Sequence, residues 1–89
     1  MKTKLDVARE IINEVDLQMI ELFKKRMEAA KMVAEYKKEK NKPIYDKERE
    51  EALINKNLLA LNNKELEEYY KTFIEGVLKS SKDYQKDLI

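Results

Sequence analysis

Apolar side chains recur at Leu5, Ala8, Ile12, Val15, Met19, Leu22, Ala29 or Ala30 and Val33, three or four positions apart, and the pattern continues to about Tyr36. It predicts one long helix. Pro43 lacks an N–H and disfavours a helical Lys42 before it, so this helix stops near Asn41 and a short charged loop follows. Asp46 precedes Lys47-Glu48-Arg49-Glu50, where its carboxylate can accept the free N–H groups of a second helix running from about Lys47 to Ala60. Leu61-Asn62-Asn63 reads as the next break. Asn63 is then the expected cap of a third helix that carries Leu66, Tyr70, Phe73, Val77 and Tyr84 on one side and ends near Lys86. Gly76 lies inside that pattern, costs up to about 1 kcal/mol relative to Ala, and so predicts close packing there. With one Gly and one Pro the chain has few turn signals, and the expected class is all-α: three helices, one long, one short and one medium, in a single domain over residues 1–89.

The length of the first helix adds a constraint. About 33 residues at about 1.5 Å each span roughly 50 Å, whereas a compact globule of this size has a diameter of about 30 Å. The two shorter helices cannot cover so long an apolar stripe. A second copy related by two-fold symmetry can, which predicts an entwined antiparallel homodimer.

Composition removes whole classes of chemistry. The chain has no His and no Cys, hence no disulfide framework, no zinc site of the usual kind, and no imidazole base or thiol nucleophile; no metal or cofactor is expected. The 19 basic and 18 acidic residues leave a net charge of +1 with acids interleaved among the lysines, which disfavours a nucleic-acid binder. Apolar runs such as Leu58 to Leu61 fall far short of the roughly 18 residues of a membrane span. Met1 to Asp6 lacks the apolar stretch of a signal peptide, so the expected location is cytoplasmic.

Among the cations only Arg9, Arg26 and Arg49 are arginines. Guanidinium binds carboxylate or phosphate with a planar fork of donors and never loses its charge, but three ordinary surface cations would give the same count. Position separates them. Arg26 falls where the apolar repeat expects a core residue, and a cation there needs a partner. Lys37, eleven residues on, returns to within about 20° of the same face and about 16 Å along the axis, so the two side chains can grip one small dianion. Taken alone, Lys37 reads as a solvated cation at a helix end, where its charge suits the macrodipole. Arg9 is about 25 Å from Arg26, too far to share a small ligand within one chain. In an antiparallel dimer it can complete the partner's site; otherwise it is a surface residue pairing with a neighbour such as Asp6 or Asn13. Asp46 suits a helix cap, Arg49 and Glu50 point about 100° apart and either reads equally as a solvated charge, and Ser81 and Gln85 share one face of the third helix at core-like positions unless that helix end faces water.

Arg9, Asp16, Arg26, Lys37, the run Pro43-Ile44-Tyr45-Asp46-Lys47-Glu48-Arg49-Glu50 and Ser81 to Gln85 together resemble the all-helical, type II class of chorismate mutase across nearly the whole chain. The order Arg, Arg, Lys, Pro-Ile-x-Asp-x-x-Arg-Glu and Ser-x-x-x-Gln carries the resemblance. It implies an entwined dimer of three-helix chains that converts chorismate to prephenate on the way to phenylalanine and tyrosine. It further implies that Arg26 grips one substrate carboxylate within the subunit and that Arg9 is lent across the dimer to the other. Lys37 would contact a carboxylate and the ether oxygen of the breaking bond, and Gln85 would be the second donor to that oxygen. Glu50, with the backbone near Asp46, would hold the ring hydroxyl, Arg49 and Ser81 would support the pocket, and Asp16 would be structural. The rearrangement occurs within one molecule and shuttles no proton, so the missing His and Cys are no obstacle; fixed donors suffice.

The sequence departs from the family pattern where Asn41-Lys42 replaces a Gly-containing approach to Pro43, and the connection between the second and third helices is short. Two rival readings stand beside the mutase: a relative of the same fold that eliminates pyruvate from isochorismate, and a non-catalytic helical dimer that docks regulatory partners. Convergence of Arg26, Lys37 and Gln85 on one pocket separates the enzymes from the scaffold.

Overall fold

The structure, a computed structural model, describes residues 1–89. Helix α1 spans Lys4–Glu39 and opens on a capping box: the Asp6 N–H donates to Thr3 Oγ1 at 3.1 Å and the Thr3 N–H donates to Asp6 Oδ2 at 3.0 Å. The Thr3 backbone N–H, and after it the Thr3 hydroxyl, hold the Asp6 carboxyl below its ordinary value of 3.8. At the other end Asn41 takes a left-handed φ of 54° and the Lys42 N–H donates to the Lys37 carbonyl at 2.8 Å. Asparagine tolerates that conformation, so it terminates the helix without a glycine.

Asp46 caps helix α2, Lys47–Leu61, by accepting the Arg49 N–H at 3.1 Å. Asn62, at φ 46°, ends it. The expected cap at Asn63 is not realised: its side chain makes no capping bond, and a single 3₁₀ turn, Lys64–Leu66, intervenes before helix α3, Glu67–Asp87. Glu67 and Glu68 then place negative charge against the positive end of the α3 dipole.

Helix α3 packs against both α1 and α2, whose own Cα atoms nowhere come within 8 Å of each other. Ala30 and Ala34, one turn apart on α1, are small enough to let the helices approach closely, and with Ile74 of α3 they form the buried apolar core. The buried residues of α3 are Ile74, Ser81 and Gln85, at the edge of the expected stripe, of which Tyr70, Val77 and Tyr84 are half-buried. Leu66 and Phe73 stay exposed, because periodicity marks an apolar side without saying which edge of it the chain itself covers. The close packing expected at Gly76 is also absent, since a Cβ added there meets nothing within 4 Å. Asn57 and Tyr70 join α2 to α3 through a 2.9 Å hydrogen bond.

Residues 4–25 of α1 are exposed throughout. Leu5, Ile11, Ile12, Leu17, Leu22 and Phe23 are each at least half exposed. The molecule measures 59 × 26 × 16 Å with a radius of gyration of 16.5 Å, against about 12 Å for a globule of this length. No helix is long and apolar enough to cross a membrane.

Candidate active site

The second half of α1, the segment leading into α2 and the last turns of α3 surround a cavity of about 410 Å³. Each wall brings polar groups for a local reason. On α1, Arg26 and Lys37 fall on the side turned toward α3, with Ala29, Ala30 and Val33 between them giving an apolar floor. Lys37 Nζ donates to the Ile44 carbonyl at 2.6 Å, which fixes its ammonium at the rim and ties the end of α1 to the chain beyond Pro43. Arg26 is half-buried and makes no ion pair or hydrogen bond within the chain, so its guanidinium keeps its full donor capacity.

Asp46, Arg49 and Glu50 reach the cavity from the start of α2. The Asp46 cap sets this register, because the residue bonded to the Arg49 N–H fixes the direction of the first turn. On α3, Ser81 and Gln85 are buried at the cavity wall, and Gln85 Nε2 donates to Ser81 Oγ at 3.1 Å. Gln85 Oε1 is buried without any partner in the chain. These two residues do not face water at a frayed end; α3 stays helical to Asp87.

Arg26, Lys37, Asp46, Arg49, Glu50, Ser81 and Gln85, which sequence reasoning singles out, thus line one cavity. Arg9 does not. It lies on the N-terminal part of α1, exposed and without an ion pair or hydrogen bond in its own chain, so the alternative pairing with Asp6 or Asn13 is not formed. Asp6 is instead engaged by Thr3. Asp16 is likewise exposed and outside the cavity.

One wall residue was not anticipated. Lys82 stands one turn after Leu78 on α3 and lines the same cavity. Its Nζ is 3.2 Å from Glu50 Oε2 and sits 4.6 Å from the centre of the Tyr45 ring. The spacing Leu78, Lys82, Gln85 on one face was available in the sequence, but a lysine among so many lysines gave no reason to choose it. With Lys82 included, the lining holds four cations (Arg26, Lys37, Arg49, Lys82) against two carboxylates (Asp46, Glu50), a surplus of two positive charges. Such a hollow favours a small dianion.

A family model for chorismate mutase type II matches residues 8–86. No curated protein and no solved structure matches the chain. Families of this model are typically chorismate mutases, which are isomerases, and the domain also occurs in related enzymes. The match begins in the first turns of α1, ends in the last turn of α3 and takes in every segment that surrounds the cavity, so the chain belongs to the chorismate mutase type II family.

Proposed function

We propose that this protein is a chorismate mutase, converting chorismate to prephenate in the synthesis of phenylalanine and tyrosine. The observation that carries the reading is the meeting of Arg26 and Lys37 of α1 with Gln85 of α3 around a cavity with two surplus positive charges. Chorismate is a dianion whose flexible enolpyruvyl arm must fold over its ring before it can react. In the rearrangement the ether C–O bond breaks while a C–C bond forms between arm and ring, and electron density gathers on the ether oxygen. The protein donates no atom and takes no proton. Its work is to hold the folded conformer and to meet the growing charge with fixed donors.

Arg26 binds one carboxylate. Lys37 bridges a carboxylate and the ether oxygen, and its hydrogen bond to Ile44 aims it before substrate arrives. Gln85 supplies the second donor to that oxygen. A half-turn of its amide lets the Ser81 hydroxyl donate to Oε1, which satisfies the orphaned acceptor and frees both Nε2 protons for the substrate. Glu50 and the backbone near Asp46 receive the ring hydroxyl, and Arg49 supports the anionic end.

Within this reading the chain works as an entwined antiparallel homodimer in which Arg9 of one subunit reaches the cavity of the other. The exposed apolar half of α1 and the free guanidinium of Arg9 support it. The test is direct: chorismate absorbance falls on adding the protein and prephenate accumulates. Pyruvate release from isochorismate with chorismate left intact would replace the mutase with the lyase, and no turnover of either would leave only a helical scaffold.

A further inference from the structure

Lys82 holds a position that the matched site residues do not explain. Its ammonium is wedged between the Glu50 carboxylate, at 3.2 and 3.4 Å, and the face of Tyr45, at 4.6 Å. Both charged side chains are largely withdrawn from water, with 27% of the Lys82 side chain and 21% of that of Glu50 exposed. This sets the contact apart from the other ion pairs of the chain, in each of which both side chains are at least 41% exposed. It also bridges elements, joining α3 to the first turn of α2 and to the residue just before the Asp46 cap.

A carboxylate in a cavity built for a dianion is an electrostatic liability. Glu50 can accept a substrate hydroxyl only if its own charge does not repel the two carboxylates bound nearby. Lys82 neutralises that charge from the side, while the Tyr45 ring limits where the ammonium can move. Without Lys82 the surplus of positive charge in the cavity falls from two to one, and Glu50 is left part-buried and unpaired.

We propose that Lys82 is a positioning residue that acts through Glu50: it fixes the Glu50 carboxylate and screens its charge, so that the site takes a dianionic, hydroxyl-bearing substrate. The inference rests on the mutase reading. Its particular consequence is that Lys82 matters only while Glu50 is charged. Replacing Glu50 by Gln keeps a hydroxyl acceptor, removes the negative charge and restores the surplus of two even when Lys82 is gone.

The experiment is a double-mutant cycle read as KM for chorismate, with helicity and thermal unfolding followed in parallel. Lys82→Met raises KM about tenfold, in keeping with the loss of one partner from a withdrawn charge pair. Lys82→Arg, which keeps the charge, stays within about twofold of the parent, and in the Glu50→Gln background Lys82→Met changes KM by less than about twofold. Should Lys82→Met lose helicity, Lys82→Gln serves in the same cycle. Equal losses in both backgrounds would assign Lys82 a purely structural role and overturn the proposal, as would a parent-like KM for Lys82→Met in an active enzyme. A parent protein inert toward chorismate overturns the mutase reading itself, and the proposal with it.

Discussion

A buried amide oxygen without a partner costs about 1–3 kcal/mol, and Gln85 Oε1 is such an atom. The neighbouring Nε2 is held by Ser81, so the side chain is half satisfied in a wall otherwise made of apolar and charged groups. As it stands Oε1 could only oppose the ether oxygen, itself an acceptor; the half-turn that satisfies Oε1 through the Ser81 hydroxyl is what turns the Nε2 protons toward it. Gln85→Leu removes the orphaned acceptor at similar volume. We expect an unchanged or raised thermal midpoint together with a kcat lower by about 10² to 10³, the size of the loss when one transition-state donor is removed. A lower midpoint with an unchanged kcat would refute the role. Arg26, Lys37 and Gln85 were legible in the sequence because two are cations and one a polar group on helical positions that periodicity assigns to a buried side. Lys82 was not, since its importance comes from Glu50 and Tyr45 on another element, and no spacing within α3 announces them.

The helices themselves follow from local chemistry. Threonine and aspartate caps start α1 and α2, left-handed asparagines stop them, and Pro43 forbids their fusion. Those boundaries were readable to within a few residues. The orientation of α3 was not, because its apolar positions are spread wide enough to admit two overlapping faces, and only packing against α1 and α2 selects the edge on which Ile74 is buried. The capping box of α1 carries a pH dependence. Hydrogen bonds from Thr3 lower the Asp6 pKa in the folded state, so the ionised carboxylate stabilises the first turn above its ordinary value of 3.8. That contribution is lost as pH falls through the lower, folded value. In an NMR titration the Thr3 amide shift should move with a midpoint below 3.8, and Asp6→Asn should abolish the transition; a midpoint at or above 3.8 would mean that the box is open in solution.

At the scale of the molecule, a 59 Å rod has only Ala30, Ala34 and Ile74 as buried apolar residues, an extended shape consistent with the proposed dimer. The longest uninterrupted run of exposed residues, 1–25, takes in the part of α1 that carries Arg9, while the cavity is built on α1 from Arg26 onward. Antiparallel pairing of two long helices brings each exposed half beside the other chain's cavity, so one arrangement answers both the missing core and the missing arginine. Length alone carries this expectation, since a helix longer than a globule of the chain's size leaves its apolar stripe uncovered, and the extended shape is consistent with it.

Subunit complementation tests this arrangement most directly. Arg9→Ala and Arg26→Ala proteins should each fold and each turn over chorismate poorly. Refolded together in equal amounts they give heterodimers as half of all dimers, each with one site that has both arginines, so activity should return to about a quarter of the parent value. A mixture no more active than the two variants measured apart, with heterodimers demonstrably formed, would mean that Arg9 does not cross between chains.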